Sequence, residues 1–107
     1  MAWTVTTLNA AVDVEVEALP ADMRARLTRL SQLIEQHGLR ALPRDSVDHL
    51  EGKLWELRIR GRAGIARAIY VTATGRRVVI VRVFIKKTQR TPRSELRRAH
   101  ERAKEVT

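Results

Sequence analysis

The most regular pattern of apolar and polar positions lies between Lys53 and Thr88. Three apolar runs there are separated by two short glycine-bearing breaks, Gly61-Arg62-Ala63-Gly64 and Thr74-Gly75-Arg76. Breaks of that length between strand-like runs predict antiparallel hairpins, so the stretch reads as a three-stranded meander. In the first run Trp55, Leu57 and Ile59 alternate with Glu56, Arg58 and Arg60, which predicts one apolar face against a core and one charged face. The second run, Ala63 to Thr72, carries Arg67 and Tyr70. The third, Val78 to Ile85, is almost continuously β-branched and suits a central strand covered on both sides. Arg82 is its one charged interruption, and Lys86 and Lys87 stand where it runs out.

The flanks are patterned differently. Trp3 to Thr7 is β-prone and suits an edge strand. Val12, Val14 and Val16 alternate with Asp13, Glu15 and Glu17, a strand signal by period, yet Asn9 is a good helix N-cap for the same stretch. Further on, Met23, Leu27, Leu30 and Ile34 repeat at helical spacing behind Pro20, with Asp22 near the positive end and Gly38 as a left-handed stop. Arg40 to Leu50, punctuated by Pro43, reads as a connecting segment. Thr91-Pro92 reads as N-cap and first position of a last helix with a narrow stripe of Leu96, Ala99, Ala103 and Val106, on which Arg97 and Glu101 stand four apart.

Charge changes the picture because of where it sits. Residues 1–51 hold 5 basic and 8 acidic residues, net −3, whereas residues 52–107 hold 16 and 4, net +12. Such a basic half attracts polyanions, so nucleic acid or an acidic protein is the expected partner. At 107 residues the chain suits one domain, residues 1–107. It has no cysteine, and His37, His49 and His100 match no ligand spacing, so neither a metal nor another cofactor is expected. No stretch approaches a membrane span and the N-terminus lacks a signal-peptide pattern, which predicts a cytoplasmic protein without membrane contact.

The residues alone thus describe a small α+β domain whose meander carries Arg58, Arg60, Arg67, Arg82, Lys86 and Lys87 on at least one face. No Ser/His/Asp set, carboxylate pair, phosphate loop or dinucleotide fingerprint is present. Trp55 and Tyr70 suit sheet packing or, if exposed, base stacking. Arg82 is either a site residue or a buried cation matched by a carboxylate.

Three blocks, LWELR at 54–58, IARAIY at 65–70 and FIKKTQRTP at 84–92, resemble the motif set of the HigB-type toxins, the phage-related branch of the RelE/ParE superfamily of toxin–antitoxin systems. The resemblance implies a RelE-like fold: a short N-terminal strand, two helices, the three-stranded antiparallel meander and a C-terminal helix. It turns residues 9–18 to helix against their alternation. It also implies a ribosome-dependent mRNA endoribonuclease that needs no cofactor and a small helix-turn-helix antitoxin, HigA-like, as partner beside ribosome and mRNA.

Carried over by position, Arg67 matches an arginine near the scissile phosphate, Lys87 the basic residue past the last strand with Lys86 beside it, and Arg58 a basic position on the first strand. Glu56 stands where some relatives have lysine and is the candidate base, with Tyr70 and His49 behind it. Arg60, Arg82, Arg93 and Arg97 extend the candidate RNA surface, Arg93 and Arg97 towards the Lys86-Lys87 end. These cations are expected to converge in one shallow pocket. The tyrosine that follows the last strand in RelE, and the histidine and acidic-tyrosine pair of some HigB toxins, have no counterpart after Lys87. That leaves two alternatives: a toxin of the same fold that inhibits a protein such as gyrase, or a non-catalytic basic RNA-binding module.

Overall fold

A computed structural model describes residues 2–86 and 89–107. The order is β1 (Thr4–Thr7), α1 (Ala10–Glu17), α2 (Ala21–His37), two short 3₁₀ turns, β2 (Val47–Glu51), β3 (Leu54–Gly61), β4 (Gly64–Ala73), β5 (Arg77–Lys86) and α3 (Arg93–Ala103). The strands form one sheet in the order β1-β5-β4-β3-β2, with β1 parallel to β5 and every other pairing antiparallel. This is the expected α+β arrangement, with the meander one strand longer. The end of the segment read as a connection, Val47 to Glu51, pairs with β3 as an edge strand.

The sheet is covered on both faces. On one, Met23, Leu27, Leu30 and Ile34 of α2 and Val12 of α1 meet Leu57, Ile59, Ala66, Ala68, Tyr70, Val78, Ile80 and Val83. On the other, Ala99 of α3, flanked by Leu96 and Ala103, packs on Leu54, Ile69, Val71, Val79 and Val81. The α1 stretch is helical because Val12 and Val16, four apart, share its inner side while Val14 points away and is 64% exposed. The Asn9 side chain caps it, accepting from the Val12 amide at 3.2 Å. Gly38 ends α2 at φ 86°, ψ 173°, beyond the left-handed helical region expected there and in a region open essentially to glycine alone. Among the described residues, no helix is long and apolar enough to cross a membrane.

One irregularity sets the register of β5. Ile69 faces Arg82 but Tyr70 faces Ile80, so Val81 is the extra residue of a bulge. The bulge keeps Val81 among the apolar residues under α3 and sends Arg82 to the same face. There Arg82 Nε donates to Glu95 of α3 at 2.7 Å and its Nη1 lies 2.9 Å from Glu15 of α1. Beyond Ile80, β1 no longer covers the outer edge of β5, and Glu15 takes over, accepting from the Val83 amide at 3.0 Å and from Arg102 of α3 at 2.8 Å. Arg82 is therefore the buried cation matched by carboxylates. Together with Arg102 it joins α1, β5 and α3.

A Cβ at Gly61 would stand 2.6 Å from Met23 Cγ and 2.9 Å from Asp22 Oδ2, which already accepts from the Arg62 amide. Gly61→Ala therefore lowers stability by about 1–3 kcal/mol in urea unfolding, and an unchanged midpoint would contradict this. The Arg82 hydrogen bonds hold the Glu95 carboxyl below its ordinary 4.5. Because the folded value is the lower one, this contribution is complete above 4.5 and disappears as pH falls through the folded value. Acid titrations should show a shallower loss of stability in that window for Glu95→Gln than for wild type. An equal slope would mean that Glu95 is not linked to folding.

Candidate nucleic-acid interface

The pleat of β3, β4 and β5 decides which charges meet. Cross-strand partners share a face, and Arg58 pairs with Arg67, Arg60 with Ile65, Ile65 with Lys86 and Ile69 with both Glu56 and Arg82. Arg58, Arg60, Arg67, Arg82, Lys86 and Glu56 therefore all stand on the α3 face. Two arginines directly opposite each other repel, and a carboxylate stands beside each. Arg58 Nη2 donates to Asp48 of β2 at 2.9 Å, and Arg67 Nη1 donates to Glu56 at 2.5 Å.

In place of the expected shallow pocket, Arg67 and Glu56 are buried. Arg67 is 6% exposed and Glu56 1%. Thr91, expected to cap α3, instead donates its hydroxyl to Glu56 Oε2 at 2.9 Å, while Pro92 takes the N-cap position. Both oxygens of Glu56 are thus engaged, one by Arg67 and one by Thr91. The Lys86 ammonium donates to the Gln89 carbonyl. One donor is left over: Arg67 Nε is buried and has no hydrogen-bond partner among the described residues. A buried donor without an acceptor is rare enough in a folded protein to require a cause.

Lys86 lies close enough to the pair to respond to it. Burial pushes its pKa down, Arg67 and Arg58 push it further, and Glu56 and Asp48 act in the opposite direction. Lys87 lies outside the described residues. Arg60 is largely exposed, 3.7 Å from Asp45. Arg82 is taken up by Glu15 and Glu95 and lies with Phe84 under its guanidinium, 5.6 Å from the ring centre, so it serves packing. Arg93 does not join the Lys86 end: it donates to Glu51, beside the β2–β3 turn, at 2.6 Å, and His100 meets the same carboxylate at 2.7 Å. Arg97 is exposed on α3 and forms no pair with Glu101, which accepts from Lys104 at 3.1 Å.

The two weaker base candidates are on the wrong side. Trp55 pairs across the sheet with both His49 and Tyr70, which places all three on the α2 face, opposite Arg67. Thr91 is the site residue that the sequence reading missed. Its position directly before Pro92 suggested a cap, and no local signal ties it to Glu56, 35 residues away.

The architecture is that of known toxins. A free-state mutant of the E. coli toxin RelE superposes with a TM-score of 0.65 at 16% identity, covering 95% of this chain and 98% of that one. The RelE of an archaeal RelE–RelB complex from Pyrococcus horikoshii OT3 gives 0.59 at 23% identity, over 81% of this chain and 98% of its own. These likenesses show a shared fold. No curated protein matches the chain. Residues 14–104 match the family described as Phage derived protein Gp49-like (DUF891), and with most of its length inside that match and the RelE architecture around it, the chain belongs to this family of RelE type.

Proposed function

We propose that the chain is the toxin of a toxin–antitoxin pair, a HigB-type endoribonuclease that cuts mRNA on the ribosome and is neutralised by a helix-turn-helix antitoxin. The observation that carries this reading is the buried Arg67 Nε, without an acceptor among the described residues and set between Arg58 across the strand and Lys86 nearby. A phosphodiester supplies the missing acceptor, and a guanidinium grips two of its oxygens at once.

In internal transfer the ribose 2′-oxygen attacks the adjacent phosphorus and the bond to the 5′-oxygen breaks, leaving a 2′,3′-cyclic phosphate and a 5′-hydroxyl. Arg67 neutralises the charge that builds on the non-bridging oxygens. When phosphate takes over the Arg67 donors, Glu56 is released from its bond to the guanidinium. Glu56 then accepts the 2′-hydroxyl proton. Lys86, whose ammonium gives up its proton more readily than an ordinary lysine, delivers one to the leaving oxygen. Lys87, Arg58, Arg60 and Arg97 hold the flanking RNA and ribosomal phosphates, which fixes register without selecting sequence.

Primer extension on translated mRNA tests this directly. Wild type should give codon-linked cuts, and Arg67→Ala, checked for folding by circular dichroism, should cut roughly 10²–10³-fold more slowly. Uncut mRNA with the wild-type protein, or inhibition of gyrase supercoiling in its place, would overturn the reading. A second prediction concerns pH. If the Lys86 ammonium is the acid, cleavage falls on the alkaline side at a pH below the ordinary 10.5 of lysine, and Lys86→Arg moves that limb upward. An alkaline limb unchanged by the substitution would assign the proton to another group.

A further inference from the structure

The face of the sheet opposite Arg67 opens, beyond the end of α2, into a cleft of about 410 Å³. Both tryptophans of the chain, Trp3 and Trp55, line it together with Leu39, Val47, Tyr70 and Arg40. The Trp3 indole packs beside Gly38, within ordinary van der Waals reach of where a Cβ would stand, 3.4 Å from Trp3 Nε1. Past Trp3 and Leu39 a second hollow continues to His37 and Arg76.

Two observations give this cleft a ligand. Trp55 is 39% exposed, stacked at a tilt on His49 with ring centres 4.7 Å apart, and so presents apolar surface that the free chain leaves wet. Tyr70, 2% exposed, lies in the wall beside it. Second, the described residues lining the cleft include Arg40 but no aspartate or glutamate.

We propose that this cleft docks an acidic segment of a partner protein, which inserts a bulky apolar side chain between Trp3 and Trp55 and sets a carboxylate against Arg40. Apolar walls discriminate against a bare polyanion, and Arg40 selects the sign of what flanks the inserted group. An RNA strand would need a row of cations tracking its backbone beside the aromatic rings, and that row lies on the other face of the sheet. The surface is independent of the chemistry at Arg67, so either reading can fail alone.

Because both tryptophans line the cleft, intrinsic fluorescence of the full chain reports on it. The probe is a short capped peptide of alternating glutamate and leucine, compared with lysine–leucine and glutamate–serine peptides and with oligouridylate. The glutamate–leucine peptide should produce a saturable spectral shift. Arg40→Glu, at an exposed rim position, should weaken it roughly fivefold, and Thr72→Glu, which puts a carboxylate into the lining, should abolish it. Both variants should retain the wild-type circular dichroism spectrum and the wild-type rate of mRNA cleavage. No response to the glutamate–leucine peptide, or an equal response to either control peptide, overturns the proposal. A response to oligouridylate alone would give the cleft to RNA and overturn it equally.

Discussion

The hydrogen bond between Arg67 and Glu56 is the interaction on which fold and site both turn. It lies on a face of the sheet where Arg58 stands directly across from Arg67, and without a carboxylate beside them two opposed guanidinium groups would push the central strands apart. Removing one partner of so buried a pair costs about 3–5 kcal/mol, because the other is left charged and unpaired. The same bond poises the site. It holds one edge of the guanidinium, Nε is left without an acceptor among the described residues, and in the proposed reaction an anion there would gain a donor already desolvated and oriented.

The helices divide their labour around that bond. α2 and α1 supply the apolar cover of one face, while α3 covers only part of the other and is fixed by charge as much as by contact, through Arg82, Glu95, Glu15 and Arg102. Nothing in that network borrows from Arg67 or Lys86. Two polar centres therefore sit on one sheet face with separate roles, one closing the fold and one left short of an acceptor. The opposite face has a cleft of its own at the edge, lined by Trp3, Trp55 and Tyr70. A protein partner held there would leave the phosphate side exposed to RNA, so binding and chemistry need not compete for surface.

Much of this was legible in the sequence wherever local pattern and packing agree. The two hairpins, the helix behind Pro20 and the shared face of Glu56 and Arg58 follow from alternation and turn residues alone. Strand β2 was not legible, because an edge strand covered on one side needs few apolar positions: Val47 and Leu50 are only partly buried, and Gly52 at φ 54° was the one turn signal. Alternation misled at Val12 to Val16, where i and i+4 served a helix equally well and only the resemblance decided correctly. The bulge at Val81, the matching of Arg82 to Glu15, and the use of Thr91 by Glu56 depend on segments distant in the chain. No window of sequence contains both halves of any of them.

Phosphate recognition through Arg67 is the central claim, and arginine Nε–H resonances in a ¹H–¹⁵N spectrum measure it most directly. Titration with a short 2′-O-methylated RNA, which cannot be cut, should move the Arg67 Nε–H signal strongly downfield as it gains an acceptor, while the Arg82 signal, already donating to Glu95, stays in place. An Arg67 signal that does not respond while the RNA binds elsewhere on the chain would contradict it.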